Sequence, residues 1–166
     1  SQFAHEHIPN SIFIGLNGSF APWVGALIKD IEQPIILVVP EGKEQETITR
    51  LARVGYDNTL GYLEGGIEAW KSAGKEIDTI TSVSAAKLTE IHNEKGVNII
   101  DMRKVSEHQS EHVIDAQNIP LDYINEEMDK FDPKETYYLH CKSGYRSLIG
   151  ASILKSRNIQ NVVNIN

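Results

Sequence analysis

Apolar residues in this chain come in short bursts, separated by glycine-containing loops and by stretches with helical spacing. "IILVV" at 35–39, "VNIID" at 97–101 and "YYLH" at 137–140 are brief runs of β-branched, leucine and aromatic residues, the length expected of buried strands. Between the last two lies no hairpin signal. Ahead of "VNIID", the stretch "SAAKLTEIHNEKG" places Ala86, Leu88 and Ile91 on one side of a helix that Gly96 is expected to end. After "YYLH", Leu148, Ile149, Ala151, Ile153 and Leu154 of "SLIGASILKS" suit a helix packed on a sheet. Strands alternating with helices predict an α/β fold, a mainly parallel sheet flanked by helices.

The pattern occurs twice. "EHIPNSIFIGL" (6–16) matches "EHVIDAQNIPL" (111–121) at Glu, His, Ile and Leu positions. "IILVVPEGK" followed by "TITRLARVGYDNTLGYL" has the layout of "YYLHCKSGY" followed by "SLIGASILKSRNIQNVVNIN": strand, loop, helix, second strand. The copies are cut differently. The second begins with "SAAKLTEIHNEKGVNIIDMRK", which the first lacks, and the first ends with "LEGGIEAWKSAG", which the second lacks. Lys71 to Ser82, a polar stretch, is the expected linker. Two related domains follow, 1–80 without its start and 81–166 without its end, so the chain is expected to be a piece of something longer.

Composition narrows the possibilities. With 40% hydrophobic and 23% charged residues the chain is an ordinary globular sequence, and its net charge of −7 argues against a nucleic-acid partner. No apolar stretch approaches the ~20 residues of a membrane helix, and no basic-then-apolar leader opens the sequence, so secretion is not expected. One cysteine cannot form an internal disulfide, which fits a reducing, cytoplasmic setting and leaves the thiol free.

That cysteine, Cys141, sits where chemistry is expected. Residues 141–146 join the end of a strand to the start of a helix, the place where open α/β sheets bind ligands. The helix N-terminus offers unpaired N–H groups and a partial positive charge. Gly144 permits a tight turn, while Lys142 and Arg146 add cations. These conditions lower a thiol's pKa, and the thiolate is the nucleophile. Spacing then separates two chemistries. Only Lys142, Ser143, Gly144 and Tyr145 lie between Cys141 and Arg146. Cysteine phosphatases place one residue more between the two, so this loop is too short for phosphate and suits a single sulfur atom. A phosphatase would also need an acid, and the sequence places none of Asp115, Asp122 or Asp129 over Cys141.

"CKSGYRS" resembles the active-site loop of the rhodanese family of sulfurtransferases, Cys-x-x-Gly-x-Arg followed by Ser or Thr. "IIDMRKVSEHQSEHVIDAQNIPL" resembles that family's upstream signature, and "LEGGIEAW" its closing Gly-Gly-x-x-x-Trp segment. The resemblance covers nearly the whole chain as a tandem of two rhodanese-like α/β/α units. "GLNGSFAPWVGALI" and "LARVGYDNTLGYLEGGIEAW" are similar to the tandem downstream of a metallo-β-lactamase-fold domain in persulfide dioxygenase–rhodanese fusions. "HEHIPN" is not that domain's zinc motif, so His5 and His7 are assigned no metal. The resemblance implies a Cys141 persulfide, formed from thiosulfate or a persulfide and discharged to a small or protein thiol, or to cyanide, with no cofactor. It implies donor binding by Lys142, Ser143, Gly144, Tyr145, Arg146 and Ser147. Asp101, Arg103, Glu107 and His112 are expected to support the loop.

Departures matter too. Asn10 and Asp115 replace a glycine in the family's turn, and both tolerate a left-handed backbone. The first copy has "VVPEGKEQE" in place of the catalytic loop; it has no cysteine, and Glu41, Glu44 and Glu46 would repel an anionic donor. That copy cannot form a persulfide. Plainer readings stand beside these: a lone cysteine is often a small core residue, His112 and His140 are expected to be hydrogen-bonded packing residues, and Trp23 and Trp70 core or domain contacts. A non-catalytic binding module and a cysteine phosphatase remain the alternatives.

Overall fold

The computed structural model describes residues 1–94 and 97–166; Gly96, the expected end of the second copy's first helix, lies outside them. In chain order the elements are α1 (Gln2–His5), α2 (Phe20–Leu27), β1 (Ile35–Leu37), α3 (Glu44–Ala52), β2 (Thr59–Tyr62), α4 (Gly66–Ser72) and β3 (Thr81–Val83). They continue with α5 (Ala85–Glu94), β4 (Asn98–Asp101), α6 (Val105–Ser110), β5 (Gln117–Asn118), β6 (Tyr137–His140), α7 (Tyr145–Ser156) and β7 (Val162–Ile165). The predicted α/β architecture with parallel sheets is what the chain adopts. No described helix is long and apolar enough to cross a membrane.

The chain forms two compact units, Ile14–Ile77 and a second that combines Ser1–Phe13 with Asp78–Asn166. This division differs from the expected cut after residue 80. Backbone bonding explains it: His7 and Asp78 exchange N–H···O bonds of 2.9 and 2.8 Å, and the Ile80 N–H reaches the Ala4 carbonyl at 2.8 Å. The Phe13 N–H donates to Ser152 Oγ at 2.9 Å. The expected linker is also only partly one. Lys71 and Ser72 end α4, and Thr81 and Ser82 begin β3, which pairs with β7.

The larger unit holds a five-stranded sheet in the order β3-β7-β6-β4-β5, with every neighbouring pair parallel. Its centre is β4 beside β6, where Ile99, Ile100 and Leu139 are fully buried. Full burial of each such side chain contributes about 1.5–3 kcal/mol. The register aligns Asp101 with His140, so both strands end together at one edge of the sheet. That edge carries the site. Helix α7 is buried on every side from Ser147 to Leu154, more completely than a helix packed on one sheet face would be. At Gly150 the helix lies close to Met102, whose methyl would stand 2.8 Å from a Cβ placed there.

In the smaller unit, β1 and β2 form a two-stranded parallel sheet over Phe20, Val24, Leu37, Leu51 and Tyr56. The repeat is visible in its backbone. Ile35 N–H bonds Asn58 O as Tyr137 N–H bonds Asn161 O, and Tyr56 N–H bonds Leu51 O as Ile159 N–H bonds Leu154 O. Gly42 and Gly144 take the same left-handed turn, with φ of 80° and 77°. Apolar sheet surface is exposed in this unit: Ile36 and Leu60 are 69% and 65% exposed. Trp70 is half-buried and donates its indole N–H to the Glu76 carbonyl. Asn10 and Asp115 adopt φ of 66° and 62°, the left-handed conformation expected of them.

Candidate active site

Strand β6 ends at His140, and Cys141 opens a loop that Gly144 turns into α7. A Cβ on Gly144 would also lie 3.1 Å from the Asn166 Cβ. Left-handed strain and crowding act together there, so Gly144→Ala is expected to cost ~1–2 kcal/mol or more, read as a lowered thermal midpoint.

The turn folds the loop's amides around the sulfur. Cys141 Sγ lies 3.5 Å from Ser147 Oγ and accepts hydrogen bonds from the backbone N–H groups of Ser147, Ser143 and Arg146. Burial alone would push the thiol's pKa up. The Ser147 hydroxyl and these amides outweigh it, and the pKa ends below the ordinary thiol value. Cys141 remains partly exposed.

Arg146 does not stand free to meet a donor. Its guanidinium makes a two-pronged ion pair with Glu107, with Nη1···Oε2 2.6 Å and Nη2···Oε1 2.9 Å. This bond holds the Glu107 carboxyl down to about 2, helped by the Lys104 N–H that Glu107 accepts at the start of α6. Arg146 is held protonated chiefly by Glu107, and its side chain also bonds Cys141. One residue thus joins α6, α7 and the reactive sulfur.

Behind the loop is a fully buried carboxylate. Asp101 accepts Arg103 Nε at 2.9 and 3.1 Å, Arg103 Nη2 at 2.8 Å and the Arg103 amide at 2.9 Å. His108 Nδ1 donates to it at 2.9 Å. Burial opposes the charge, but the Arg103 and His108 bonds prevail and the carboxyl falls to about 2. Arg103 then reaches on to the Glu111 carbonyl at 2.7 Å, and Asn118 Nδ2 ties the Asp101 and Arg103 carbonyls at 2.9 Å each.

An open cleft of about 260 Å³ leads to the sulfur, lined by Arg103, Glu111, His112, Val113, His140 and Cys141. This set differs from the one assigned to the donor in the sequence. Of the loop residues, only Cys141 lines the cleft. Lys142 and Ser143 are exposed, Tyr145 packs edge-on to Phe13 with centroids 6.0 Å apart, and Ser147 is buried beneath the sulfur. Ser143, Arg146 and Ser147 contribute amides instead. His112 bonds the His108 carbonyl through Nδ1 at 2.9 Å and stacks on the His108 ring at 4.1 Å. His108, Glu111 and Val113 were not singled out from the sequence. The only local signal was the spacing of His108, Glu111 and His112, which brings them to one side of a helix and the turn after it.

A family model described as "Rhodanese-like domain" matches residues 1–73 and again 84–166. A crystal structure of a rhodanese-like domain protein from Staphylococcus aureus is similar over 52% of this chain and 85% of that one, with 28% identity and a TM-score of 0.50. Two proteins of Bacillus subtilis (strain 168) are similar in sequence. The putative sulfur carrier protein YrkF is 25% identical over 75 residues, and the uncharacterized protein YqhL 27% over 67 residues. Those alignments take in 45% and 40% of this chain and only 40% and 53% of the two relatives. With one match on each repeat and nearly every residue included, the chain belongs to the Rhodanese-like domain family, whose family-level chemistry is sulfur transfer.

Proposed function

We propose that this protein is a thiosulfate-type sulfurtransferase that carries sulfur on Cys141. The single observation behind this reading is the sulfur's setting. Cys141 is partly exposed, its sulfur is ringed by three backbone N–H groups and the Ser147 hydroxyl, and its pKa is lowered accordingly. Those donors suit a small anion, and the four residues between Cys141 and Arg146 are one fewer than a cysteine phosphatase uses.

In the first step the Cys141 thiolate attacks the outer sulfur of thiosulfate. A new S–S bond forms, the S–S bond of the donor breaks, and sulfite leaves with its electron pair. The amides of Ser143, Arg146 and Ser147 hold the resulting persulfide anion, an electrostatic role that is preorganised and needs no movement. In the second step a thiol or cyanide takes the outer sulfur and Cys141 leaves as thiolate. One difficult transfer becomes two easier ones, with ping-pong kinetics. Charge at the loop comes from Lys142 and from Arg146, which is balanced by Glu107, so the donor meets a modest field. The first copy does not share this chemistry. Its loop keeps the glycine turn at Gly42 but has Val39 in the position of Cys141. It fits a scaffold role.

The test is direct. After incubation with thiosulfate the intact protein is expected to gain the mass of one sulfur atom, and Cys141→Ser to gain none. A wild-type protein that gains nothing, from thiosulfate or from a small persulfide, would leave the non-catalytic reading. Turnover of an aryl phosphate would revive the phosphatase.

A further inference from the structure

On the reading just given, the sulfur on Cys141 must be discharged, and a neutral thiol acceptor cannot attack until it loses its proton. Free thiols are mostly protonated near neutral pH. The cleft offers few groups able to take that proton. Arg103 is permanently protonated, with Nε and Nη2 bonded to Asp101 and the Glu111 carbonyl. A carboxylate is a weaker general base than a neutral imidazole. His140 lines the cleft, but its Nε2 is buried without a hydrogen-bond partner among the described residues, and burial disfavours its charged form.

His112 differs from all of these. It is exposed on the cleft wall, and its Nδ1 is bonded to a carbonyl, which can only accept. Nδ1 therefore carries the hydrogen, and in the neutral ring Nε2 keeps its lone pair. Stacking on His108, itself anchored to Asp101, fixes the ring plane. The titratable and charged groups facing it are His108, with Asp101 behind, and Arg103, Glu111, His140 and Cys141 around the cleft.

We infer that His112 is the proton-transferring residue of the second half-reaction and that the cleft serves protonated small thiols as sulfur acceptors. Nε2 takes the proton from the acceptor S–H as its sulfur attacks the outer sulfur of the Cys141 persulfide. The new S–S bond forms, the bond to Cys141 Sγ breaks with its electron pair going to Sγ, and His112 passes the proton to the departing persulfide. Cys141–S–S⁻ and R–SH become Cys141–S⁻ and R–S–SH, with atoms and charge balanced and no oxidant needed.

The experiment separates the half-reactions. Wild-type protein and His112→Asn are loaded with sulfur from thiosulfate, then discharged in single turnover to three acceptors: glutathione, sulfite, and an aryl thiol already ionised at the assay pH. Asparagine can keep the bond to the His108 carbonyl while removing Nε2, and His112→Gln is the second variant. Loading, and discharge to sulfite and to the aryl thiolate, are expected to change far less than discharge to glutathione. Discharge to glutathione is expected to fall ~10²-fold, within the range for general-base catalysis. The pH dependence of that discharge is expected to differ in shape between the variants and the wild type. Loss of loading in both variants, equal slowing with all three acceptors, or no slowing with glutathione would each overturn the inference. A wild-type protein that takes up no sulfur is the separate failure, that of the sulfurtransferase reading, and the inference falls with it.

Discussion

Arg146→Ala is expected to slow sulfur loading of Cys141 by ~10²–10³-fold, the cost of removing one preorganised charge stabiliser from an active site. The reason lies in what would remain. Arg146 now faces both Glu107, through two bonds of 2.6 and 2.9 Å, and the Cys141 sulfur. Without the guanidinium, the Glu107 carboxylate stands unpaired beside a sulfur that must become an anion, and the thiol pKa rises. The double variant Glu107→Ala/Arg146→Ala is therefore expected to recover part of the lost rate, because the repelling charge has gone as well. The coupling energy between the two positions should be clearly different from zero. Loading rates by intact-protein mass provide the comparison; a single variant as fast as wild type would show that the guanidinium has no electrostatic part in the reaction.

Asp101→Ala is expected to be the most damaging change to stability, at ~3–5 kcal/mol. Its carboxylate is fully buried and is the common acceptor for Arg103 and His108. Removal leaves a guanidinium, an imidazole and the Arg103 amide facing a cavity. Against a typical total of about 5–15 kcal/mol, that loss would leave little margin. The same group gives a pH signature. Its folded pKa is about 2, below the unfolded value of about 3.9. A lowered carboxylate pKa stabilises the fold above the unfolded value, and that stability is lost as pH falls through about 4 toward 2. Glu107, also held at about 2, acts in the same direction. Thermal midpoints measured from pH 6 down to pH 2 are expected to fall steeply below pH 4 in the wild-type protein and less steeply in Asp101→Ala. Parallel profiles would show that Asp101 does not carry the acid limb.

Much of this was legible because the signals are local. The short aromatic-rich run "YYLH" followed by Cys141, Gly144 and a run of helix formers places a loop between strand and helix without any knowledge of the rest. Left-handed turns at Asn10 and Asp115 were readable for the same reason, since the side chain itself tolerates the geometry. The shared backbone bonds of the two copies follow from the repeat in pattern. What escaped was long-range. Glu107 was expected to support the loop, but nothing local marks Arg146, 39 residues on, as its partner. The bridge from His7 to Asp78, which draws residues 1–13 into the larger unit, has no local mark in either segment. Thr81 and Ser82 looked like linker because an edge strand of three residues is too short for alternation to show. His108 gained meaning only once α6 placed it against a buried carboxylate.

The measurement that bears most directly on the whole account is the pH dependence of Cys141 alkylation, followed by mass on the intact, sulfur-free protein. Three amides and a hydroxyl around the sulfur of a partly exposed cysteine lead to an apparent thiol pKa below the ordinary thiol value, with alkylation still rapid at neutral pH. A midpoint at or above that of free cysteine, or a thiol that alkylates only after unfolding, would contradict it.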